Sequence, residues 1–393
     1  QRQFEITRSP SKSPMSLLAC EVPGATGSVK GNVALLEKDG HITGVAVLGS
    51  GVELKAENGR IIATILSPLP ANHFHLGIWS GPKADVGKLH QFAKMKIKAR
   101  ALRGLTKGGP AKWNQPVTTQ GRLGLIPGPY VVDTITVPEE NPWKSWIRCS
   151  GFDFFGDGET AAMCSVTGDV WIVTGINQDL KELQWRRFAT GLFQPLGLKI
   201  VKGKVYVLGR DQITRLHDLN SDGEADFYEN FNNDISISNH YHEFCLNLST
   251  DPEGNFYFIK GGNLRAATVP HHGCLVRVSK DGSKLEIVAT GHRAPNGMSV
   301  GPQGELTSSD NEGNWVPTSR VNYVKPGGFY GHVHTAHRTE PPNDYDKPLL
   351  WLPHQADNSS GGQVWVTSDR WGPFDGDLLH LSYGKSSMFK ILK

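Results

Sequence analysis

The sequence predicts an all-β protein in which a β-propeller follows a small β-sandwich-like module. Its 393 residues include 45 Gly and 24 Pro, and many of the glycines stand beside Asp, Asn or Ser. This is the composition of a chain with many tight turns. A chain of this length corresponds to two or three domains. We expect the β-rich module and a linker in residues 1–130, and the propeller in residues 131–393.

The propeller prediction depends on a pattern that repeats beyond residue 131. Short runs of β-branched and aromatic residues, bounded by turns such as Asp-Gly, Glu-Gly or Lys-Gly, recur at a spacing of about 40–50 residues, which is typical of propeller blades. The runs are TGDVWIVTGI (167–176), KGKVYVLGR (202–210), EGNFYFIKGG (253–262), GCLVRVSKDGSKLEIVATG (273–291), QGELTSSDNEG (303–313) and GQVWVTSDRWG (362–372). Residues 131–393 would hold about five such blades. A large sandwich is the alternative architecture.

The first 130 residues show a different pattern. Short alternating apolar runs occur at 33–36, 42–48, 60–66 and 73–79, and they predict the strands of a sandwich-like module. Residues 106–129 are rich in Gly, Pro, Gln and Thr. We therefore expect a linker or a long surface excursion in that segment.

Composition excludes several classes of partner. The 41 basic and 38 acidic residues leave a formal charge of +3, which gives no reason to expect a nucleic-acid partner. No run of about 18 apolar residues occurs, so we expect no membrane span. The N-terminal segment QRQFEITRSPSKSP has no apolar signal core. Either export is not needed or a leader has been removed, and the expected location is secreted or periplasmic.

Five cysteines occur without a CxxC or CxxCH motif. Zinc ribbons, thioredoxin-type chemistry and covalently attached c-type haem are therefore poorly supported. Cys245 with Cys274, and Cys149 with Cys164, are candidate disulfide pairs. Free buried thiols are the alternative.

The segment DLNSDGEAD (218–226) predicts a calcium loop. Oxygen ligands at alternate positions, with a glycine for the sharp turn, suit a hard cation such as Ca²⁺. Asp218, Asn220 and Asp222 are the candidate side-chain ligands. Glu224 would contribute its side chain or carbonyl, and Asp226 would close the site. The ion would be structural, and a solvated acidic turn is the alternative.

A second set of motifs is spread along the chain. They are HYHEF (240–244), GHRAPNG (291–297), SDNEGNWVP (309–317) and RVNYVKPGGFYG (320–331). This ordered set, within residues 196–393, resembles the soluble quinoprotein glucose and aldose-sugar (sorbosone-type) dehydrogenases. The resemblance implies a six-bladed propeller that uses pyrroloquinoline quinone (PQQ) and Ca²⁺.

A longer resemblance starts at about residue 130. The strings NPWKSWIRCSGFDF, WRRFATGLFQPLGLK and GRDQITRLHDLNSDGEADFYENF are similar to those of secreted bacterial β-propeller proteins of the quinoprotein dehydrogenase-like type. The two resemblances together imply a dehydrogenase that oxidises a sugar or related alcohol or aldose by hydride transfer to PQQ. Electrons would then pass to a separate acceptor, because the chain has no haem motif.

The quinoprotein resemblance implies roles for individual residues. His242 stands where the family has its general base, which takes the substrate hydroxyl proton. Arg293 stands where the family has an arginine against the cofactor, so it is both a catalytic and a cofactor-binding candidate. Guanidinium suits this place because it forms bidentate bonds with carboxylates.

Four more residues are cofactor-binding candidates by the same resemblance. Gly313 and Asn314 lie where the family uses backbone carbonyls to hold the Ca²⁺ that polarises the quinone. Arg320 lies in the motif that follows. Lys385 is offset by one residue from the family's cofactor-binding lysine.

The sequence also departs from the family's pattern. Tyr241 replaces the acid beside the family's catalytic histidine, and Ala294 replaces the asparagine after its arginine. The chain stops at Lys393 in what resembles an unfinished blade, so the C-terminal arginines of the family have no counterpart. These departures weaken the PQQ prediction rather than the propeller prediction. We expect a further polypeptide segment to complete the propeller.

A non-catalytic alternative therefore stays open. In it, a calcium-stabilised propeller binds carbohydrate or a partner protein through aromatic platforms such as Trp315, Tyr330 and Trp371. The histidines of HYHEF would then pack in the central funnel, and Arg293 would bond backbone carbonyls between blades. His332, His334 and His337 are a further candidate metal cluster if residues 332–334 form a strand.

Overall fold

The computed structural model describes residues 15–66, 74–96, 104–126, 128, 130–262, 269–312 and 316–392. It divides into two compact units, Gln1–Thr106 and Lys107–Lys393. No helix within these ranges has the length and the apolar character needed to cross a membrane.

In the first unit, the part of the chain that the structure describes forms seven strands and one short α-helix. They are β1 (Met15–Glu21), β2 (Thr26–Lys30), β3 (Val33–Lys38), β4 (His41–Leu48), β5 (Val52–Glu57), β6 (Arg60–Ile65), β7 (His75–Pro82) and α1 (Gly87–Phe92). Short 3₁₀ helices span Lys83–Asp85 and Leu105–Lys107.

The strands of the first unit form two antiparallel sheets, β1-β6-β5 and β2-β3-β4-β7. The two sheets share an apolar core that includes Ala34, Leu36, Val45 and Ile61. Successive side chains of a strand point to opposite faces of the sheet, which explains this packing. In β6 the side chains of Ile61, Ala63 and Ile65 are buried, while those between them are more exposed. The expected sandwich-like module is therefore confirmed.

The described residues of the second unit form twenty strands and a 3₁₀ helix, Val333–Thr335. The strands are β8 (Val117–Thr119), β9 (Cys149–Phe154), β10 (Ala161–Ser165), β11 (Val170–Thr174), β12 (Leu183–Ala189), β13 (Gly197–Val201), β14 (Lys204–Leu208), β15 (Ile213–His217), β16 (Phe227–Asn232), β17 (Cys245–Thr250), β18 (Phe256–Lys260), β19 (Leu275–Val278), β20 (Leu285–Ala289), β21 (Met298–Val300), β22 (Leu306–Asp310), β23 (Ser319–Tyr323), β24 (Leu350–Leu352), β25 (Ser360–Trp365), β26 (Leu378–Ser382) and β27 (Ser387–Ile391).

These strands form five consecutive antiparallel sheets, which we number as blades. Blade 1 is β8-β12-β11-β10-β9, blade 2 is β13–β16, blade 3 is β17–β20, blade 4 is β21–β24 and blade 5 is β25–β27. Within each blade the strands that follow one another in sequence pair as hairpins, which is the topology of a β-propeller. The predicted propeller is confirmed.

Turn chemistry explains why the hairpins form where the sequence predicts them. At the Lys-Gly turn between β13 and β14, Lys202 and Gly203 both have positive φ, 51° and 73°. Positive φ at both central residues is the mark of the tight two-residue turn that matches the twist of the flanking strands.

Apolar layers hold neighbouring blades face to face. Between blades 2 and 3, the rings of Phe231 and Phe256 lie 5.2 Å apart with Tyr206 against both. Between blades 1 and 2, side chains of β10 and β11 such as Cys164 and Val170 pack with Val205 and Val207 of β14.

The first strands of neighbouring blades approach one another at backbone distance. A Cβ added at Gly151 in β9 would lie 2.9 Å from the backbone nitrogen of Leu198, and one at Gly197 in β13 would lie 2.9 Å from the carbonyl carbon of Asn247. The same holds at Gly297, where a Cβ would lie 2.1 Å from the carbonyl oxygen of Gly361. Only glycine fits these positions without a shift of the backbone.

Alternating strand directions sort the loops of blades 2–5 into two sets. We call the end at which the first strand of each blade begins the upper end; the hairpin between the second and third strands also lies there. The hairpins that join the first to the second strand, and the third to the fourth, lie at the lower end. Residues that are distant in sequence thus share one end of the propeller.

The boundary between the units differs from the expected one. The structure divides the chain after Thr106, and β8, which lies in the expected linker, pairs with β12 of blade 1. Trp185 Nε1 also donates to the hydroxyl of Thr119 at 3.0 Å. Residues 117–119 therefore belong to the propeller, because an outer strand edge offers unpaired backbone groups that a short strand can bond.

The candidate disulfides are wrong, because all five cysteines carry free thiols. Lys260 of β18 pairs with Cys245 on one side and donates its backbone N–H to Cys274 on the other, so a strand separates the two thiols. Cys149 pairs with Ser165, the residue after Cys164. Since neighbouring residues of a strand face opposite sides, that register keeps the second pair apart.

We expect Gly197→Ala to destabilise the second unit by about 1–3 kcal/mol, because the new methyl group meets backbone that cannot turn away. The midpoint of urea unfolding measures this change. Gly156→Ala is the matched control, because no atom of the described residues lies within 4 Å of a Cβ built there. Equal effects of the two substitutions would show that the close approach does not matter.

Candidate functional site

The upper end of the propeller carries three of the residues expected to act in catalysis or cofactor binding. The loop before β17 holds His242, the loop before β21 holds Arg293, and the turn between β26 and β27 holds Lys385. Glu312 follows β22 at the same end. The propeller topology therefore brings together side chains from three blades.

His242 is exposed at this end. Its backbone N–H donates to Nδ1 of His240 at 3.2 Å, and its ring lies 4.3 Å from the ring of Tyr241. The alternative in which this imidazole packs inside the funnel is therefore not observed. An exposed imidazole can exchange a proton with a bound molecule.

The loops of His242 and Arg293 are linked through two glycines that follow β18. A Cβ at Gly261 would lie 2.7 Å from the carbonyl oxygen of His242. Gly262 donates its N–H to the carbonyl oxygen of Arg293 at 2.8 Å. Gly261 also donates its N–H to the carbonyl oxygen of Phe244 at 2.8 Å, so backbone hydrogen bonds tie both loops to this pair of glycines.

Arg293 combines a fixed backbone with a partly exposed side chain. Its guanidinium lies 3.5 Å from Glu312, whose other carboxylate oxygen lies 3.7 Å from Nε2 of His354. A carboxylate, rather than the backbone carbonyls of the alternative reading, is thus the ionic partner of this arginine. Arg293 and Glu312 thus form an ion pair at the upper end, with the ring of His354 beside it.

Asp310 fixes the loop of Arg293 from below. Its fully buried carboxylate accepts the backbone N–H groups of Arg293 at 2.8 Å, Ala294 at 2.9 Å and Asn311 at 2.8 Å. It also pairs with Arg320 at 2.9 Å. The sequence did not predict this role, although an acid at the end of a buried strand was a usable signal.

Arg320 has a structural place instead of the expected contact with a cofactor. It is buried, and it donates to Asp310, to the carbonyl oxygen of Asn311 at 2.6 Å and to that of Tyr330 at 2.6 Å. Burial lowers the pKa of its guanidinium, and the charge of Asp310 opposes the shift. Its donors are directed into the protein.

His292, next to Arg293, is completely buried. Its Nε2 lies 3.0 Å from the hydroxyl of Ser308, and its ring lies 5.2 Å from that of Tyr330. Burial lowers its pKa to about 4, with the charge of Asp310 opposing and that of Arg320 supporting the shift. The imidazole is therefore neutral at pH 7 and acts as a packed polar group.

A buried ionic cluster, which sequence reasoning also missed, lies under the loop of His242. Nζ of Lys260 lies 2.7 Å from Glu243, and Nε2 of His272 lies 3.3 Å from the same oxygen. The adjacent Cys245 is buried as well. No periodicity of the sequence marks Glu243 as buried, because it belongs to a loop.

The remaining candidates divide into three groups. Lys385 is exposed at the upper end, and its backbone N–H donates to Ser382. Gly313, Asn314 and Trp315 lie outside the described residues. Tyr330 is wrong as an aromatic platform, because it is buried and its hydroxyl donates to the carbonyl of Tyr323 at 3.0 Å.

The candidate calcium loop connects β15 to β16 and so lies at the lower end. The carboxylate of Asp218 accepts the N–H groups of Ser221 at 2.7 Å and Gly223 at 2.8 Å, which closes the turn. Asn220 Nδ2 lies 3.0 Å from a carboxylate oxygen of Asp222. This half of the loop has the turn that the motif predicts.

The other two candidate ligands bond the segment that follows the first unit. Asp226 accepts the N–H of Gly109 at 2.9 Å, and Glu224 accepts those of Lys112 and Trp113. Across the described ranges, no three His, Cys, Asp or Glu side chains are grouped as a metal site. His332, His334 and His337 are likewise not grouped as a metal site in the described residues. Val333–Thr335 forms a 3₁₀ helix there, rather than the expected strand.

Comparison with solved structures supports the fold. Two structures described as glucose dehydrogenase are 14% identical to this chain over 71% of its length, cover 86% and 87% of their own chains, and give TM-scores of 0.50 and 0.49. The PQQ-bound aldose sugar dehydrogenase of Streptomyces coelicolor is 14% identical, over 63% of this chain and 82% of its own, with a TM-score of 0.44. No family model and no curated protein matches the chain. The expected resemblance to sugar dehydrogenases is thus confirmed at the level of the fold.

The buried state of His292 predicts acid sensitivity. Its pKa is about 4 in the folded protein and 6.5 ordinarily, so the unfolded chain binds the extra proton between these values. Stability is therefore lost as pH falls from 6.5 towards 4, by roughly 3 kcal/mol from this group.

Urea unfolding of wild type and His292→Gln between pH 4 and 7 measures this contribution. We expect the variant to lose less stability over that range, whereas the exposed His41→Gln control follows wild type. Parallel curves for wild type and His292→Gln would contradict the assignment.

Proposed function

We propose that this chain is a quinoprotein-like dehydrogenase that oxidises a sugar or a related alcohol or aldose, with His242 as the base and PQQ as hydride acceptor. The observation that carries the proposal is the linkage of the loops of His242 and Arg293 through Gly261 and Gly262. The linkage joins the loops of His242 and Arg293 at the upper end, and it supports their proposed roles as proton acceptor and cation. A secreted or periplasmic location and a separate electron acceptor are parts of the same proposal.

The residues at the upper end suit an anionic, planar cofactor. PQQ carries carboxylates and, when bound, supplies the electrophilic carbon that takes up hydride. Arg293 presents a planar guanidinium at a partly buried position, and Lys385 adds an exposed cation at the same end. Glu312 keeps Arg293 oriented and competes with anions for it. Arg320 is left out of this set, because its donors are directed into the protein.

The exposure of His242 supports its proposed role as the base. A neutral imidazole beside the substrate hydroxyl would accept that proton as the C–H bond of the same carbon gives up its hydride, which leaves a carbonyl product. The N–H of Gly261 donates to the carbonyl oxygen of Phe244 at 2.8 Å, which ties the loop that carries His242 to the end of β18. Tyr241, beside this ring, provides an exposed aromatic face for a sugar.

The non-catalytic alternative keeps one specific observation in its favour. Trp371 is 42% exposed and packs with Tyr130 and Phe374, with ring centroids 6.2 Å and 5.4 Å away. Such a cluster could bind carbohydrate or a partner protein. Titration with PQQ separates this alternative from the dehydrogenase.

The further polypeptide segment stays a prediction, and exposed apolar side chains support it. Phe152 is 69% exposed and lies with Phe154 on the face of blade 1 turned away from blade 2. Val364 and Met388 are exposed on the face of blade 5 turned away from blade 4. A sheet that packed between these faces would bury them.

Titration of metal-stripped protein with PQQ, with and without added Ca²⁺, tests the proposed function. We expect PQQ to bind, and dye-linked oxidation of aldoses to follow. His242→Ala should keep binding but lower turnover by about 10²-fold or more, because a positioned base is removed. Arg293→Ala should weaken binding.

His41→Ala, in the first unit, is the control for His242→Ala, and it should match wild type in both assays. Protein that is folded by circular dichroism and yet binds no PQQ would contradict the dehydrogenase proposal. The binding alternative would then be favoured.

We also propose that Ca²⁺ binds the loop of residues 218–226 at the lower end. Asp218, Asn220 and Asp222 would be ligands, and Glu224 and Asp226 would contribute or hold residues 109–113 in place. Binding to the folded state alone would add about 2.7 kcal/mol at a free Ca²⁺ concentration of 100 Kd. We expect Tm to rise by several degrees with Ca²⁺ in wild type but not in Asp222→Asn.

Asp157→Asn is the matched control for the calcium test. Asp157 stands in another Asp-Gly turn, where it accepts the N–H of Glu159 at 3.1 Å and that of Thr160 at 3.0 Å. This variant should keep the full response to Ca²⁺. An equal response in Asp222→Asn would exclude this loop as the site.

A further inference from the structure

The loop of His242 passes from solvent to core within a single residue. Tyr241 is 73% exposed and His242 is exposed, whereas the next side chain, Glu243, is completely buried. A carboxylate is costly to bury without partners. Its partners therefore indicate why it is there.

One oxygen of Glu243 closes the loop on itself. Oε2 accepts the backbone N–H of Ser238 at 2.7 Å and also the hydroxyl of Ser238. The turn of residues 238–243 is thereby tied at its base, with His240, Tyr241 and His242 in between. Loops without such bonds leave their backbone donors to water.

Basic groups from three other parts of the chain surround this turn. Oε1 of Glu243 lies 2.7 Å from Nζ of Lys260, at the end of β18, and 3.3 Å from His272. Arg210, after β14, lies 3.8 Å from Oε2 and donates to the carbonyl oxygens of Ser238 and His240. Blades 2 and 3 thus both hold the same turn.

Net stability is a weak explanation for this arrangement. A buried ion pair such as Lys260–Glu243 recovers little more than the cost of removing both charges from water, and apolar residues of the same size often serve as well. Burial would raise the pKa of Glu243, but the hydrogen bonds from Lys260 and Ser238 and the charge of Lys260 outweigh it and lower the pKa. The carboxylate is therefore ionised and available as an acceptor for the loop.

We propose that Glu243 is a positioning residue whose buried carboxylate sets the conformation of the turn that presents His240, Tyr241 and His242 at the upper end. Its effect on catalysis rests on the proposed function, because it acts through His242. Its effect on the conformation of the turn is independent of the proposed function. The carboxylate required by this proposal follows His242, on the side opposite to the acid that Tyr241 replaces.

Two double variants separate positioning from stability. Glu243→Leu with Lys260→Met removes both charges and the acceptor. Glu243→Gln with Lys260→Met removes both charges but keeps an amide oxygen that can accept the N–H of Ser238. Neither leaves one member of the Lys260–Glu243 pair without the other, so a difference between them reports the hydrogen bond to the turn.

Two readouts of the turn are independent of turnover. Chymotrypsin can cut after the exposed Tyr241, and amide hydrogen exchange follows residues 238–242 directly. We expect cleavage and exchange to rise about tenfold in the leucine variant, which is the effect of losing about one net hydrogen bond. The glutamine variant should stay within about threefold of wild type.

Turnover provides the third readout. If the proposed function holds, kcat should fall in the leucine variant with little change in KM or PQQ affinity, and the glutamine variant should restore it. If neither wild type nor variants oxidise sugar, cleavage and exchange still decide the positioning role. Failure of the proposed function is thus distinguishable from failure of this inference.

Equal cleavage and exchange rates in both double variants would overturn the proposal, whether those rates match wild type or rise together. If the leucine variant does not fold, Ser238→Ala replaces it. That substitution removes only the hydroxyl donor at the base of the turn, and it must raise cleavage after Tyr241 while leaving Tm within a few degrees of wild type. Unchanged cleavage in Ser238→Ala would then contradict the proposal.

Discussion

The close approach of the first strands of neighbouring blades is the constraint on which the rest of the propeller depends. At Gly151, Gly197 and Gly297 the next blade lies where a side chain would otherwise stand. This spacing lets the apolar layers between blades meet without voids, which a close-packed core requires. It also brings the loops that precede these strands together at one end. His242 and Arg293, some fifty residues apart, become neighbours for this reason.

Two buried carboxylates then fix the backbone of these loops by accepting hydrogen bonds from it. Glu243, in the loop before blade 3, accepts the backbone N–H of Ser238, and Asp310 of blade 4 accepts three backbone N–H groups. Each carboxylate also pairs with a buried cation, Lys260 or Arg320. The exposed groups that can meet a ligand are thus separated from the buried groups that hold their backbone. Irregular loops need such acceptors, because they lack the hydrogen-bond ladder of a sheet.

The sequence was sufficient for the fold and for the expectation that His242 and Arg293 lie in loops at one end of the propeller. Turn residues and strand periodicity are local signals, so the blades and the positions of His242 and Arg293 followed from them. The roles of Glu243, Asp310 and His292 did not follow, because the burial of a loop residue depends on strands that are remote in sequence. The candidate pairing of Cys245 with Cys274 was wrong because Lys260 of β18 lies between these two residues in the sheet.

The pairing of β8 with β12 has a consequence for how the chain folds. Every other strand pair among the described residues of the second unit joins strands adjacent in sequence. Blades 2–5 can therefore form from local hairpins as soon as their residues are available. Blade 1 is different, because Val117 of β8 pairs with Trp185 of β12, which is much later in the sequence. Closing this longer loop costs chain entropy before any contact repays it. During synthesis on the ribosome, β8 therefore stays unpaired with blade 1 until β12 has emerged.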